Sequence, residues 1–189
     1  MNDDRNRVCP VELANSLDNV VRRWLQDPRK ILSPFVREGM TVLDVGCGPG
    51  FFAVEAANLV GPRGKVVAAD LQEGMLEKLR KKVYHTPLAD RIKPVVCEPN
   101  RINVSDAIDF VLAFWMVHEV KDKESFFKQL FSILKDGGSM LVVEPKLFHV
   151  SHREFGATLT IAEDSGFGVS PGPRVIVSWS AVLIKSTKS

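Results

Sequence analysis

Three glycines at alternate positions, with a carboxylate just before them, form the stretch of the chain whose residues are best suited to hold a ligand. Gly46, Gly48 and Gly50 follow the β-branched and apolar run Thr41–Val45, and an apolar helical pattern begins at Phe51. Glycines reach positive φ freely and, because they lack Cβ, they let a ligand lie against the backbone. The N-terminus of the following helix adds N–H groups that point toward that ligand. The order of strand, glycine turn and helix therefore predicts a ligand site.

The spacing of these glycines distinguishes between two kinds of cofactor. A dinucleotide fingerprint would need glycine or alanine at position 51, where this chain has Phe51. Asp44 lies two residues before the first glycine, and a carboxylate there suits a ligand with an ammonium group better than a pyrophosphate. The stretch VLDVGCGPG resembles motif I of the class I S-adenosylmethionine-dependent methyltransferases. We therefore expect S-adenosylmethionine as the cofactor and not a nicotinamide dinucleotide.

This resemblance implies an α/β fold. We expect a doubly wound, Rossmann-like, mostly parallel sheet of seven strands, with an antiparallel C-terminal hairpin strand and helices on both faces. The implied activity is direct in-line methyl transfer to an unidentified, small-molecule acceptor. The chain is also similar overall to the quinone and arsenite methyltransferases, but it has no cysteine after Cys97 and only a short connection at 145–150. The alternative is a non-catalytic or partner-dependent subunit that binds S-adenosylmethionine.

A second carboxylate supports a nucleoside site. Asp70 ends the predicted strand Lys65–Asp70, where it could accept both hydroxyls of a ribose lying across the glycine turn; the alternative is an N-cap for the next helix. By resemblance, Glu98 and Pro99 would lie against the adenine, and Ala113 and Phe114 near the methyl group. The complete set of predicted cofactor contacts is Asp44, Gly46, Cys47, Gly48, Asp70, Leu71, Met75, Glu98, Pro99, Ala113 and Phe114.

His118 is the candidate catalytic residue. It follows the predicted strand Ile108–Phe114, whose end faces the methyl group in this family, and the unperturbed pKa of histidine is near neutrality. Glu119 is the second candidate base, and the alternative is that both residues merely begin a polar loop. No metal site is expected, because the cysteines are widely separated and form no C-x-x-C. Cys47 is expected to pack and to offer its backbone, not to act as a nucleophile.

The remaining patterns place the other elements. We expect a helix after Asp122, a turn at 136–138 into a strand at 140–144, and a helix that starts in a capping box at Ser151. The C-terminal hairpin is predicted to turn at 171–173, with 178–180 as the alternative. The remaining predicted elements are helices at 12–26, after Asp27, at 51–60 and at 71–84, and a strand at 92–97.

Length and charge limit the other possibilities. The 189 residues suit a helical cap at 1–38 and a cofactor-binding methyltransferase domain at 39–189. A net charge of +2 gives no argument for a nucleic-acid partner. No apolar run approaches the roughly 20 residues of a membrane span and the start is charged, so we expect no membrane contact and a cytoplasmic protein. With so short a connection at 145–150 the site should be open, and a second subunit or partner protein could complete it.

Overall fold

The computed structural model describes residues 26–146 and 150–185, which form a seven-stranded sheet. Its order is β3-β2-β1-β4-β5-β7-β6; β1 to β5 run parallel, and β7 is antiparallel to both β5 and β6. The predicted doubly wound sheet with an antiparallel C-terminal strand is therefore confirmed. The strands are β1 (Thr41–Val45), β2 (Lys65–Asp70), β3 (Ile92–Val96), β4 (Ile108–Phe114), β5 (Leu134–Pro145), β6 (Phe167–Pro171) and β7 (Ser178–Lys185).

Helices cover both faces of the sheet, as predicted. Because side chains alternate along a strand, Val42 and Leu43 enter two different cores. The first core packs under α1 to α3, and the second under α4 and α5. The helices are α1 (Pro28–Leu32), α2 (Ala53–Val60), α3 (Glu73–Val83), α4 (Lys123–Ile133) and α5 (His152–Asp164), with a 3₁₀ turn, η1 (Val117–Glu119), after β4.

Only the last part of the predicted N-terminal cap is described. The predicted helix after Asp27 is confirmed as α1, and the Asp27 carboxylate accepts the N–H groups of Arg29 and Lys30 at 3.0 and 3.3 Å. Leu32 is fully buried in the same core as α2. Residues 12–25 of the preceding predicted helix lie outside the described residues, and the division of the chain at residue 38 stays a prediction.

Strand β5 corrects one sequence prediction. It begins at Leu134, and the residues expected to turn at 136–138 are inside it. The register with β4 shifts there: Ile108 pairs with Leu134 but Phe110 pairs with Ser139, so extra residues bulge from the ladder, with Gly137 at φ +73°. The prediction of a turn at 136–138 that leads into the strand is therefore wrong, because these residues form a bulge inside β5.

The predicted C-terminal hairpin is confirmed, but its connection is 172–177, which overlaps the predicted turn at 171–173 and continues beyond it. β6 ends at Pro171 and β7 begins at Ser178, so the alternative turn at 178–180 is wrong and lies within a strand. In the described part of the chain β3 and β6 form the two edges of the sheet, and each contains a proline, Pro94 in β3 and Pro171 in β6. No helix within the described ranges is long and apolar enough to cross a membrane.

Candidate active site

A cleft of about 1250 Å³ opens at the carboxyl ends of the parallel strands. Chain order reverses between β1 and β4, and open α/β sheets bind ligands at such a switch point. All but one of the predicted site residues line this cleft. They are Asp44, Gly46, Cys47, Gly48, Asp70, Leu71, Met75, Glu98, Pro99, Phe114 and His118.

Ala113 is the exception. Its side chain is fully buried in the core under α4 and α5, whereas Phe114, the next residue of β4, points to the other face and lines the cleft. Because side chains alternate along a strand, only the backbone of Ala113 is left to make the predicted cofactor contact, which stays a prediction.

Hydrogen bonds attach the backbone of the glycine turn to β2, and one of its three glycines has free space where a side chain would be. The N–H groups of Gly46 and Cys47 both donate to the Ala69 carbonyl, at 2.8 and 3.1 Å. Gly46, Gly48 and Gly50 have φ of +71°, +52° and +84°. A Cβ at Gly46 would meet Met116 at 2.8 Å and one at Gly50 would meet Leu79 at 2.3 Å, but a Cβ at Gly48 would meet nothing within 4 Å. Gly48 thus exposes its backbone to the cleft.

Asp70 joins the glycine turn to the start of α3. It is 8% exposed; its Oδ2 accepts the N–H of Gly48 at 2.8 Å and its Oδ1 that of Gln72 at 2.9 Å. Burial raises the pKa of Asp70 above its ordinary value, and these backbone N–H groups act in the opposite direction. Gln72, not Asp70, is the N-cap residue of α3, so the N-cap alternative is wrong. A carboxylate has about four acceptor sites, more than these bonds use.

The two described cysteines, the buried Cys47 and the half-buried Cys97, are thiols near carboxylates. Burial raises the pKa of Cys47 well above its ordinary value, and Asp44 and Asp70 add to the shift. Burial and then Asp70 raise the pKa of Cys97 to about 12. Because the thiolate is the nucleophilic form, neither group is activated. These shifts agree with the predicted packing role of Cys47.

The other predicted cofactor contacts differ in exposure. Asp44 is 3% exposed and Met75 2%, while Leu71 is 45% exposed. Glu98 and Pro99 are exposed at the start of a tight turn, in which the N–H of Glu98 donates to the Arg101 carbonyl at 2.8 Å. Asp44 therefore lies on the buried inner surface of the cleft, at the end of β1. Leu71, Glu98 and Pro99 lie on its solvent-exposed side, after β2 and β3.

A histidine–carboxylate pair lines the same cleft as the glycine turn. Nδ1 of His118 lies 2.6 Å from Oε2 of Glu144, at the end of β5. The Glu144 carboxylate is 2% exposed and also accepts the backbone N–H groups of Met116, Val117 and His118 at 3.0–3.1 Å. Glu144 therefore fixes the whole segment that follows β4.

The pKa of His118 reflects this partner. Burial of the ring lowers the pKa, but the hydrogen bond and charge of Glu144 outweigh burial and raise it above its ordinary value. Glu119 raises it further and Lys123 lowers it. Glu144 therefore stabilises the imidazolium, which is the form His118 would take after it accepts a proton.

Sequence reasoning missed two residues of this cleft. Glu144 is the only charged side chain in the run Met140 to Pro145, and an acid that ends a buried strand is the signal that could have identified it. Trp115 lines the cleft with φ +57°, and its Nε1 donates to Ser178 Oγ at 3.0 Å. Its backbone strain has no signal in the sequence. Within the described residues no group of three or more His, Cys, Asp and Glu could hold a metal ion.

Comparison with known proteins gives one family and several relatives. The profile of a family described as "Methyltransferase domain" matches residues 42–138. The ubiquinone/menaquinone biosynthesis C-methyltransferase UbiE of Pasteurella multocida is 33% identical over 110 residues, 58% of this chain and 41% of that protein. The UbiE of Haemophilus ducreyi is 34% identical over 110 residues, 58% of this chain and 42% of that protein. The match thus spans less than half the length of these curated relatives.

A solved structure matches nearly the whole chain. The SAM-dependent methyltransferase of Aquifex aeolicus is 28% identical, with a TM-score of 0.81 over 94% of this chain and 99% of that one. Its similarity therefore includes residues beyond 138, where the match to the family profile ends. The predicted fold class is therefore confirmed by an independent structure.

Proposed function

The chain belongs to the methyltransferase domain family, and from this premise we propose that it transfers a methyl group from S-adenosylmethionine to a small-molecule acceptor. One observation carries the proposal: a single cleft is lined both by the Gly46–Gly50 turn with Asp70 and by the His118–Glu144 pair. A cofactor site and a base thus share one space. The comparisons give no support to the alternative of a non-catalytic subunit.

The residues present fit this cofactor. Gly48 leaves its backbone open to a ligand, and a Cβ there would contact the ligand although it would contact no protein atom. Two backbone N–H groups hold the carboxylate of Asp70 so that it can also accept ribose hydroxyls. Asp44 supplies a buried negative charge for an ammonium group at the base of the turn. When bound, S-adenosylmethionine supplies a methyl group activated by a sulfonium. The chain's own task is to align the acceptor, and alignment alone can supply roughly 7–11 kcal/mol.

His118 takes the proton of an acceptor that must lose one. The His118 side chain is 23% exposed and lines the cleft, and its Nδ1 forms a hydrogen bond with the buried carboxylate of Glu144. A positioned base contributes roughly 10²- to 10⁴-fold to the rate. Two curated relatives are named for methylation at carbon in quinone biosynthesis, and a small molecule of that kind is consistent with this cleft. A cytoplasmic location and a second subunit or partner that completes the cleft remain part of the proposal.

Binding of the cofactor product tests the proposal first. Calorimetric titration with S-adenosylhomocysteine should show micromolar binding, and the same titration with NAD should show none. Asp70→Asn should weaken binding about tenfold to a hundredfold, because hydrogen bonds to a charged group contribute roughly 1.5–3 kcal/mol. Asp136→Asn is the matched control, since Asp136 is an exposed carboxylate paired with Lys185 away from the cleft.

Two results would contradict the proposal. If the folded protein, free of co-purified ligand, binds neither S-adenosylhomocysteine nor S-adenosylmethionine, then S-adenosylmethionine is not its cofactor. If the wild type and Asp70→Asn bind S-adenosylhomocysteine with equal affinity, then Asp70 does not contact the cofactor. His118→Gln should keep full affinity for S-adenosylhomocysteine while it lowers turnover, once an acceptor is found by labelled methyl transfer.

A further inference from the structure

We propose that Glu144 is a positioning residue that makes Nε2 of His118 the base atom of the cleft, and that the acceptor carries an acidic hydroxyl of the phenol or enol type. This inference rests on the function proposed above and extends it to a second residue and a class of acceptor. Neither the resemblance nor the family match assigns a role to Glu144, which lies outside the matched residues 42–138.

The hydrogen-bond geometry of Glu144 determines which ring nitrogen carries the proton. Its two oxygens face four N–H positions, three of the backbone and Nδ1 of His118. An ionised carboxylate can only accept hydrogen bonds, so Nδ1 must carry its proton in both the neutral and the charged ring. The lone pair of neutral His118 is therefore on Nε2. A second group that fixes the tautomer is the usual way in which proteins orient a basic histidine.

The charges around the ring favour proton acceptance. Glu144 faces it from β5, Glu119 from its own 3₁₀ turn and Lys123 from α4. The two carboxylates stabilise the imidazolium and the lysine opposes it. Because Glu144 is 2% exposed, its charge is poorly screened by water. Glu144 and Glu119 together thus have a larger effect on the pKa of His118 than Lys123 has, and the pKa is raised.

The walls of the cleft beyond His118 combine apolar and polar side chains. They are contributed by the segment after η1, by α4 and by α5; the apolar lining residues there are Val120, Phe126, Val150, Ala157 and Ile161, and the polar ones are Lys121, Asp122, Lys123, Ser125, Gln129, Glu154 and Thr158. Such walls can hold an acceptor that has both an apolar body and polar groups. A histidine base accepts a proton most readily from a group whose pKa is near its own. Among hydroxyls, phenols and enols come nearest to that condition.

The proposed step balances in protons and electrons. The hydroxyl proton passes to Nε2 of His118, which becomes an imidazolium held by Glu144. The electron pair of the resulting oxyanion forms the new bond to the methyl carbon, and the sulfur keeps the pair of the bond that breaks. The proton on Nε2 then returns to water. The step needs no oxidant or reductant.

Nuclear magnetic resonance of the histidine side chains tests the tautomer without cofactor or acceptor. The chain has 4 histidines, so ¹⁵N labelling and His118→Gln assign the signal. We expect neutral His118 with its proton on Nδ1. In Glu144→Gln the amide NH₂ can donate to Nδ1, so the proton should move to Nε2 and the pKa of His118 should fall. Glu124→Gln, the same change at an exposed residue paired with Lys128, should alter neither the tautomer nor the pKa of His118.

A proton on Nε2 in the wild-type protein would overturn the inference, even if Glu144→Gln did not fold. An unchanged tautomer in a folded Glu144→Gln would do the same. Since this measurement needs no ligand, its failure is distinct from a failure of the proposed function, which the titration with S-adenosylhomocysteine decides.

A chromogenic phenol tests the acceptor class. With saturating S-adenosylhomocysteine, 4-nitrophenol should bind and ionise at a lower pH than in free solution, seen as phenolate absorbance. His118→Gln should abolish that shift, Glu144→Gln should reduce it, and Glu124→Gln should preserve it. Where the phenol is methylated, Glu144→Gln should lower kcat about 10- to 100-fold with little change in KM. No binding, or equal absorbance in the wild type and His118→Gln, would overturn the acceptor class.

Discussion

The substitution Gly48→Ala should separate ligand binding from folding. Gly48 has φ +52°, and a Cβ there would meet nothing within 4 Å of protein. An alanine at positive φ costs about 1–2 kcal/mol, and the reduced freedom of the unfolded chain returns about 0.4–1 kcal/mol. The net loss of unfolding free energy should thus be about 1 kcal/mol. For a chain of 189 residues, such a loss lowers Tm by about 2–4 °C.

The effect on cofactor binding should be larger. The added methyl group would occupy the cleft where the ligand lies against the backbone, and overpacking of this kind costs about 1–3 kcal/mol. That corresponds to a Kd for S-adenosylhomocysteine weakened about fivefold to more than a hundredfold. Titration calorimetry measures the affinity, and differential scanning calorimetry the stability.

Gly137→Ala provides the matched control. Gly137 has φ +73°, and a Cβ there would also meet nothing within 4 Å, but Gly137 lies in the bulge of β5 and does not line the cleft. Its substitution should cost the same stability and leave affinity unchanged. Equal affinity of Gly48→Ala and Gly137→Ala would refute the argument that Gly48 forms the cradle.

Three further predictions concern stability. Gly50→Ala should lower the unfolding free energy by about 2–4 kcal/mol in urea titrations, because strain at φ +84° adds to a contact with Leu79; a loss below 1 kcal/mol would contradict the packing. The hydrogen bond from Lys93 lowers the pKa of Asp106, so its stabilisation should be present above the ordinary pKa of aspartate and fade as pH falls through the lowered value; urea titrations at several pH values should show this dependence removed in Asp106→Asn. The pKa of His118 is raised, so its stabilisation should be present below the ordinary pKa of histidine and disappear as pH rises through the raised value; an identical pH profile in His118→Gln would refute it.

Local chemistry explains the parts of the fold that the sequence predicted. The glycine turn, the Asp27 cap and the capping box of Ser151 depend on neighbours within a few residues, and all three have the predicted form. The predicted turn at 171–173 overlaps the observed connection at 172–177 for the same reason. These features use backbone rules that do not require knowledge of the tertiary structure.

Long-range contacts explain what could not be predicted. Glu144 reaches His118 across 26 residues of sequence, and Gly48 donates to Asp70 across 22. Ala113 was placed by its position at the end of β4, but only the pairing of the finished sheet decides which face each side chain enters. The bulge of β5 likewise arises from its register with β4. The sequence therefore predicted the segments of the site, but not which groups in them make contact.

The prolines at the two edges of the described sheet restrict how copies of this chain could assemble. A proline in an edge strand has no N–H to offer, and its ring faces the side where an added strand would pair. Pro94 is the middle residue of β3 and Pro171 the last residue of β6. Continuous sheets that run from one copy to the next, and the fibrous aggregates that begin in this way, are therefore disfavoured at both edges. A second subunit that completes the cleft would have to approach through helices or loops.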